Sequence, residues 1–278
     1  MTDADSRIAL VTGATSGIGK ATADRLHDRG YEVFAVGRDQ ESLLRLKERG
    51  LLARALDVTD ENAVDQLVRE INANHGGVDV LVNCAGFPLT CPLEQVELSD
   101  LRKLFETNIV AALHLSQAVL PGMRNRGTGT IVNIGSTGGR FASPGAGGYH
   151  IVKYGMEAMS LALRAEVAPF NVRVVLIDPT GVRTPFVTSQ QDDRPTYPDD
   201  DPYGGFKHRY AENTRRLSEQ PGVMIEPHNV ARAVVRAVES KDPKPRYTIG
   251  LSGKATVLAR ALVTDRMWER ILMRGLRD

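Results

Sequence analysis

Cysteine is scarce: the 278-residue chain holds two, Cys84 and Cys91. Two thiols do not make a disulfide scaffold for a chain of this size, and without clustered histidines they do not frame a metal site. Neither sign of charge dominates, since 35 Lys and Arg stand against 34 Asp and Glu for a net charge of +1. A chain so balanced has no general electrostatic pull towards nucleic acid or an acidic membrane surface. Long hydrophobic runs are missing too; none reaches the roughly 18 apolar residues that a bilayer-spanning helix needs. The opening Met1-Thr2-Asp3-Ala4-Asp5-Ser6 has neither the basic nor the apolar segment of a signal peptide. The expectation is a cytoplasmic protein with no metal, no nucleic-acid partner and no transmembrane segment. What is present is ordinary for a globular fold, with 42% hydrophobic and 25% charged residues. The length suits one α/β domain over 1–278.

Tyr149-His150-Ile151-Val152-Lys153 places a phenol and an ammonium four residues apart, on one face of a helix. An unperturbed tyrosine has a pKa of about 10. A cation held beside it favours phenolate and lowers that value towards the range where the side chain exchanges protons. Surface helices carry the same spacing for solubility, so the pair needs company. It has some near the amino terminus, where Arg7 to Val11 reads as a buried strand. That strand runs into Thr12-Gly13-Ala14-Thr15-Ser16-Gly17-Ile18-Gly19, and an amphipathic helix follows with Ala21 and Leu26 apolar. Strand, glycine turn and helix form the context of a dinucleotide-binding fingerprint. The glycines let the backbone approach a pyrophosphate, and the helix amino terminus offers it unpaired N–H groups.

Further along, short apolar strands alternate with amphipathic helices. Strands are expected at 31–36, 52–56, 78–82, 130–134 and 172–177, with helices from 41 and from 60, a long helix over 99–123, and the Tyr149 helix ending near 170. Such alternation implies parallel strands, right-handed crossovers and helices on both faces. The fold class is therefore α/β, a doubly wound parallel sheet in three layers, with ligands beyond the carboxyl ends of its strands. Arg38 follows the second strand. An acidic residue there would bind the ribose 2′-OH of NAD, whereas an arginine pairs with a 2′-phosphate, so NADP(H) is expected in preference to NAD(H). Asp39 beside it keeps the plainer reading of an exposed charge open. Asp57 and Val58 follow the third strand, where the carboxylate either meets an adenine amino group or caps a helix.

Taken together and in this order, Thr12-Gly13-x-x-x-Gly17-Ile18-Gly19, Asp57, Asn83-x-Ala85-Gly86, Asn108, Ser136, Tyr149-x-x-x-Lys153 and Pro179-x-x-Val182-x-Thr184 resemble the short-chain dehydrogenase/reductase family in its compact single-domain branch. The resemblance runs from Arg7 to about Gly250 and implies a Rossmann-like fold. The cofactor-binding residues are then Gly13, Thr15, Ser16, Gly17, Ile18, Gly19, Arg38, Asp57, Val58, Asn83, Ala85, Gly86, Tyr149, Lys153, Pro179, Val182 and Thr184. By the same resemblance Tyr149 would be the general acid or base, and Lys153 would lower its pKa and bind the nicotinamide ribose. Ser136 would hold the reacting oxygen, and Asn108 a water that joins Lys153 to solvent. The family also implies a homodimer or homotetramer, built through the helix after Ser99 and the Tyr149 helix.

Two positions depart from the family pattern. Thr180 stands where glycine usually follows Pro179, which would reshape the nicotinamide pocket slightly. Cys84 replaces a frequent second asparagine, and with no base adjacent it is expected to pack.

From about 185 to 227 the alternation stops. A polar, proline-rich run from Gln190 to Pro202 precedes Gly204-Gly205 and a helix expected over 206–217. So long a segment after the sixth strand reads as a mobile lid over the substrate, against the plainer reading of a solvated loop. The acidic run 199–201 reads as a solvated face. Pocket candidates are Ser136, Gly138, Phe141, Ser143, Gly148, Tyr149, Phe186, Tyr203 and Phe206, and the phenylalanines imply an apolar, bulky ketone or secondary alcohol. The stretch from Asn229 to Gly250 is similar to the hydroxysteroid- and retinol-dehydrogenase-like branch, which implies a lipid- or steroid-like substrate. The tail over 254–278 is expected to be an amphipathic helix, packed on its own domain or on a partner subunit rather than touching membrane. The functional expectation is an NADP(H)-preferring oxidoreductase interconverting a ketone and a secondary alcohol. Two alternatives stand beside it: an NADP(H)-binding redox sensor without turnover, and a reductase of acyl or polyketide intermediates.

Overall fold

Apolar runs too short for helices build the sheet. The computed structural model describes residues 7–188, 198, 200–220 and 222–274. Its strands are β1 (Ile8–Thr12), β2 (Glu32–Gly37), β3 (Leu52–Ala55), β4 (Val80–Asn83), β5 (Gly129–Ile134), β6 (Val172–Pro179) and β7 (Arg246–Ile249). They pair in parallel, in the order β3-β2-β1-β4-β5-β6-β7. Strands β1, β4 and β5 are buried along their whole length, as strands covered on both faces are.

Alternate strand residues feed two cores. On one face Ala9, Val11 and Val33 meet α1 (Gly17–His27), α2 (Gln40–Glu48) and α9 (Pro227–Glu239) through Leu26, Leu43, Leu46, Val230 and Val234. On the other, Ile8, Leu10 and Phe34 meet α3 (Glu61–His75), α5 (Ala111–Arg126) and α6 (Gly147–Val167) through Ile71, Leu115, Val119 and Leu163. Three layers result. Helix α9 buries apolar side chains at four-residue spacing (Val230, Val234, Val238); neither it nor β7 is among the elements expected from the sequence.

The helix expected over 99–123 is interrupted. Helix α4 (Leu98–Phe105) passes through a π turn at Glu106–Val110 before α5 begins. Asn108 supplies a physical reason, because its Nδ2 donates to the carbonyl of Leu104 at 3.0 Å and so competes with the helical ladder. The tail is two helices rather than one, α10 (Leu251–Leu262) and α11 (Asp265–Arg274), broken at Val263–Thr264. Within the segment expected as a lid, α7 (Pro185–Thr188) and α8 (Gly204–Glu219) are helical. Residues 189–197 and 199, most of its polar run, lie outside the described residues, as do 1–6 and 275–278. Among the described residues no helix is long and apolar enough to cross a membrane, and no cluster of metal-ligating side chains occurs.

Candidate active site

The chain leaves β1 towards β2 on one side of the sheet and later fills in β4 on the other side, so the strand order reverses between β1 and β4. Ligands bind at such a point, beyond the carboxyl ends of the strands. A cavity of about 850 Å³ opens there. It is walled by the glycine turn with Gly13, Thr15, Ser16, Gly17, Ile18 and Gly19; by Arg38, Asp57 and Val58; and by Ala85, Gly86, Pro179, Val182 and Thr184. Ser136, Gly138, Phe141, Ser143, Tyr149, Lys153 and Phe186 complete it. The fold thus gathers most of the residues singled out in the sequence around one space.

The turn fits a dinucleotide on its own geometry. A Cβ at Gly19 would lie 2.1 Å from the carbonyl oxygen of Gly13, so only glycine lets α1 start this close to β1. Ser16, at the N-cap of α1, makes no side-chain capping bond, which leaves the first N–H groups of the helix pointing at the cavity. Thr12 closes the turn from below: its Oγ1 accepts from the backbone N–H groups of Cys84 and Ala85, both at 3.0 Å. At the far end Arg38 is exposed and lies 3.6 Å from Asp57. Asp57 caps the next turn, accepting from Thr59 N at 3.0 Å and Thr59 Oγ1 at 2.8 Å. These bonds, ahead of Arg38, hold its carboxyl below the usual range. Asp39 is the N-cap of α2, accepting from Ser42 N at 2.6 Å, and Asp60 caps α3 through Ala63 N at 3.0 Å.

Two expected site residues face elsewhere. The Asn83 side chain is buried in the sheet, donating to Asn133 Oδ1 at 2.9 Å and to the carbonyl of Ala112 at 3.2 Å; the cavity wall begins at Cys84. Asn108 is buried behind Gly86, where a Cβ would lie 2.6 Å from its Oδ1. That Oδ1 has no hydrogen-bond partner among the described residues, so it is an available acceptor at the π turn.

At the centre, Ser136 and Tyr149 share the cavity wall, Ser136 Oγ accepting from the backbone N–H of Gly138 at 3.0 Å, and Lys153 is buried with its Nζ donating to the carbonyl of Ile134 at 3.0 Å. The Lys153 ammonium lies 5.6 Å from the Tyr149 ring centroid. Burial dominates and pushes the Tyr149 phenol up to about 12, with the Ser136 hydroxyl opposing it and the Asp178 carboxyl adding to it. Burial likewise pulls Lys153 down to about 8, against Cys84 and Asp178. Asp178 itself, at the end of β6, is pushed up to about 7 by burial despite Arg246 at 3.1 Å. Burial also lifts the Cys84 thiol to about 12, which makes it an inert packing residue.

The other half of the cavity is apolar. Phe186 packs against Tyr149 with ring centroids 5.8 Å apart, and Phe87, Leu217 and Met224 add to the wall together with Tyr210 from α8. Gly148, Tyr203 and Phe206 do not line it: Gly148 packs on Leu89, and Phe206 stacks on Tyr210 with centroids 6.0 Å apart. The acidic run is not simply a solvated face. Asp201 is nearly buried, its Oδ1 accepting from Gln95 Nε2 at 2.8 Å and its Oδ2 from Lys207 Nζ at 2.8 Å. Those bonds bring its carboxyl down to about 2 and tie the start of α8 to the loop before α4. Thr180 is accommodated rather than intrusive. Its methyl points at Gly250, where a Cβ would lie 2.3 Å from it, and a Cβ at Gly253 would lie 2.9 Å from the Thr180 Cβ.

Sequence reasoning missed His150, which lines the cavity and bridges Gly138 and Ser143. Its position next to Tyr149 was the signal, but its partners lie in a loop that no periodicity marks.

A family model described as short chain dehydrogenase matches residues 7–195. Among curated relatives, the NADPH-dependent 3-dehydrocapnine reductase of Ornithobacterium rhinotracheale is 31% identical over 280 residues, covering 98% of each chain. Among solved structures, a short-chain dehydrogenase from Streptomyces avermitilis superposes with a TM-score of 0.79 at 31% identity, covering 99% of both chains. A variant actinorhodin polyketide ketoreductase with NADPH superposes at 0.76 with 30% identity, over 90% of this chain and 97% of that one. The match runs from before β1, through the glycine turn and the whole Tyr149 helix, to beyond β6, and the chain belongs to the short-chain dehydrogenase/reductase family of oxidoreductases.

Proposed function

We propose that this oxidoreductase uses NADP(H) in preference to NAD(H) to interconvert a ketone and a secondary alcohol on a bulky, apolar, lipid-like substrate. The observation that carries the reading is the convergence of Ser136, Tyr149 and the buried Lys153 where the glycine-turn half of the cavity meets its apolar half. When bound, the nicotinamide supplies or accepts hydride. Ser136 and Tyr149 hold the substrate oxygen, and the Tyr149 phenol, neutral far above physiological pH, is the proton donor to that oxygen during ketone reduction. Lys153 places a cation beneath the reacting groups, and Asn108 offers an acceptor at the back of the site for returning a proton. Arg38 binds the 2′-phosphate. The NADPH dependence in the name of the 3-dehydrocapnine reductase and the NADPH in the polyketide ketoreductase structure support the cofactor choice. The phenylalanine-rich wall supports the apolar substrate.

Assembly into a homodimer or homotetramer belongs to the same proposal, supported by Phe105, Ile151, Tyr154 and Leu161, which stand exposed on α4 and α6. The segment around α8 acts in it as a lid over the substrate. Spectrophotometric assay of NADPH and NADH consumption with ketones from small to steroidal tests the reading. Bulky ketones are expected to oxidise NADPH in the wild type, and Tyr149→Phe to bind NADPH normally while losing about 10²–10⁴ in turnover. NADPH binding without turnover in either direction would favour a sensor instead.

A further inference from the structure

His150 sits between Tyr149 and the rest of the catalytic helix and is almost fully buried. Its Nδ1 lies 2.7 Å from the carbonyl oxygen of Gly138, an atom that only accepts, so Nδ1 carries the proton. Its Nε2 lies 3.0 Å from the backbone N–H of Ser143, a group that only donates, so Nε2 is a bare acceptor. The Ser143 hydroxyl is 2.9 Å from the same nitrogen. Two backbone groups therefore fix one neutral tautomer. They are also the two ends of the segment 138–143, which crosses the apolar half of the cavity. Gly138 is what allows the approach, since a Cβ there would lie 3.2 Å from Nδ1.

Phe141 lies between the two anchors. Its ring centroid is 5.9 Å from that of His150 and, at an interplanar angle of 66°, 5.9 Å from that of Trp268 on α11. Trp268 is the chain's one tryptophan, with the Arg260 guanidinium of α10 stacked at 5.9 Å from its ring. The cavity wall is thus held from the catalytic helix on one side and from the C-terminal helix on the other.

We propose that His150 is a positioning residue which, by bonding both ends of the 138–143 segment, holds Phe141 against Trp268, so that α11 takes part in setting which substrates fit. The selectivity half of this proposal rests on the ketone-reducing role assigned above; the positional half does not.

His150→Phe keeps a ring of similar size for Phe141 and Tyr149 but removes both bonds. His150→Asn keeps a donor for Gly138 and loses the acceptor for Ser143; His150→Gln does the reverse. Acrylamide quenching of Trp268 fluorescence in the unliganded protein reads the position of Phe141 without any turnover. His150→Phe is expected to expose Trp268 to quencher and to raise KM for a bulky ketone by roughly tenfold, with a smaller change in kcat. KM for a small ketone and affinity for NADPH should hold. The Asn and Gln variants should fall between it and the wild type, and they carry the test if His150→Phe does not fold. Unchanged quenching in folded variants, or KM values that rise equally for small and bulky ketones, overturns the proposal. A wild type that quenches as expected yet reduces no ketone overturns the functional reading instead, and with it the selectivity half.

Discussion

Arg38 Nη1 stands 3.6 Å from Asp57 Oδ2 at the mouth of the cavity, and both side chains are largely in water. An exposed pair at that distance contributes little by itself. Asp57 is already engaged by Thr59, so Arg38 is free to turn to a stronger anion entering the cavity. A 2′-phosphate presents such an anion and a 2′-hydroxyl does not. Arg38→Ala should raise the Kd for NADPH by about 10–100-fold, the loss of a charge-assisted hydrogen bond or two, while NADH affinity barely moves. Fluorescence titration of both cofactors checks this, and equal losses would remove Arg38 from the 2′-phosphate.

The pH dependence of reduction should follow Lys153 and not Tyr149. With Tyr149 pushed up to about 12 and Lys153 down to about 8, the phenol keeps its proton across the working range. The ammonium loses its own near pH 8. The profile of kcat/KM for ketone reduction, which reports the free enzyme, should be level below about pH 8 and fall above it. Stability runs the other way. The folded pKa of Lys153 lies below the ordinary 10.5, so between about 8 and 10.5 the unfolded chain binds more protons than the folded one. Stability contributed by this group therefore rises with pH through that window. Thermal melts of wild type and Lys153→Met from pH 7.5 to 10, compared as a difference, test the sign; a difference that shrinks with rising pH in the wild type's disfavour contradicts it.

Asn83 should prove structural through its side chain. It donates to Asn133 Oδ1 at 2.9 Å, and Asn133 Nδ2 donates in turn to Ser160 Oγ at 2.9 Å, so β4, β5 and α6 share one buried polar chain. Asn83→Ala leaves Asn133 without its donor and should cost about 1–3 kcal/mol, seen as a lower urea midpoint with NADPH affinity kept. Loss of affinity at unchanged stability would return the Asn83 side chain to the cofactor site.

What was legible in the sequence was local. Six of the seven strands announced themselves as apolar runs, β7 being the exception, and the turn after β1 carried its glycines and its helix in one stretch, so the fold and the phosphate end of the cavity were readable from spacing. Arg38 was readable because its place after β2 follows from that register. What depended on residues far apart was not. The tyrosine–lysine spacing speaks of the neighbouring charge alone, whereas the burial that pushes the phenol up comes from elements far along the chain. Asn83 occupies a motif position yet turns into the core, because its partners on α5 and β5 lie 29 to 50 residues away. Asp201 looked like one of three solvated carboxylates until Gln95, 106 residues earlier in the chain, was found against it.

Thr180 supplies the last case, a departure from the family pattern whose compensation lies 70 residues on. Gly250 has φ +100°, and a Cβ there would come within 2.3 Å of the Thr180 methyl. Gly250→Ala should therefore destabilise twice over, through backbone strain of about 1–3 kcal/mol and through overpacking of about 1–3 kcal/mol. Only the second depends on Thr180. In a Thr180→Gly background the same substitution keeps the strain and loses the clash, so the two changes should couple favourably by about 0.5–3 kcal/mol. Urea unfolding of wild type, both single variants and the double variant measures that coupling. Strict additivity would mean that Thr180 and Gly250 yield independently, and that the threonine needs no glycine to make room for it.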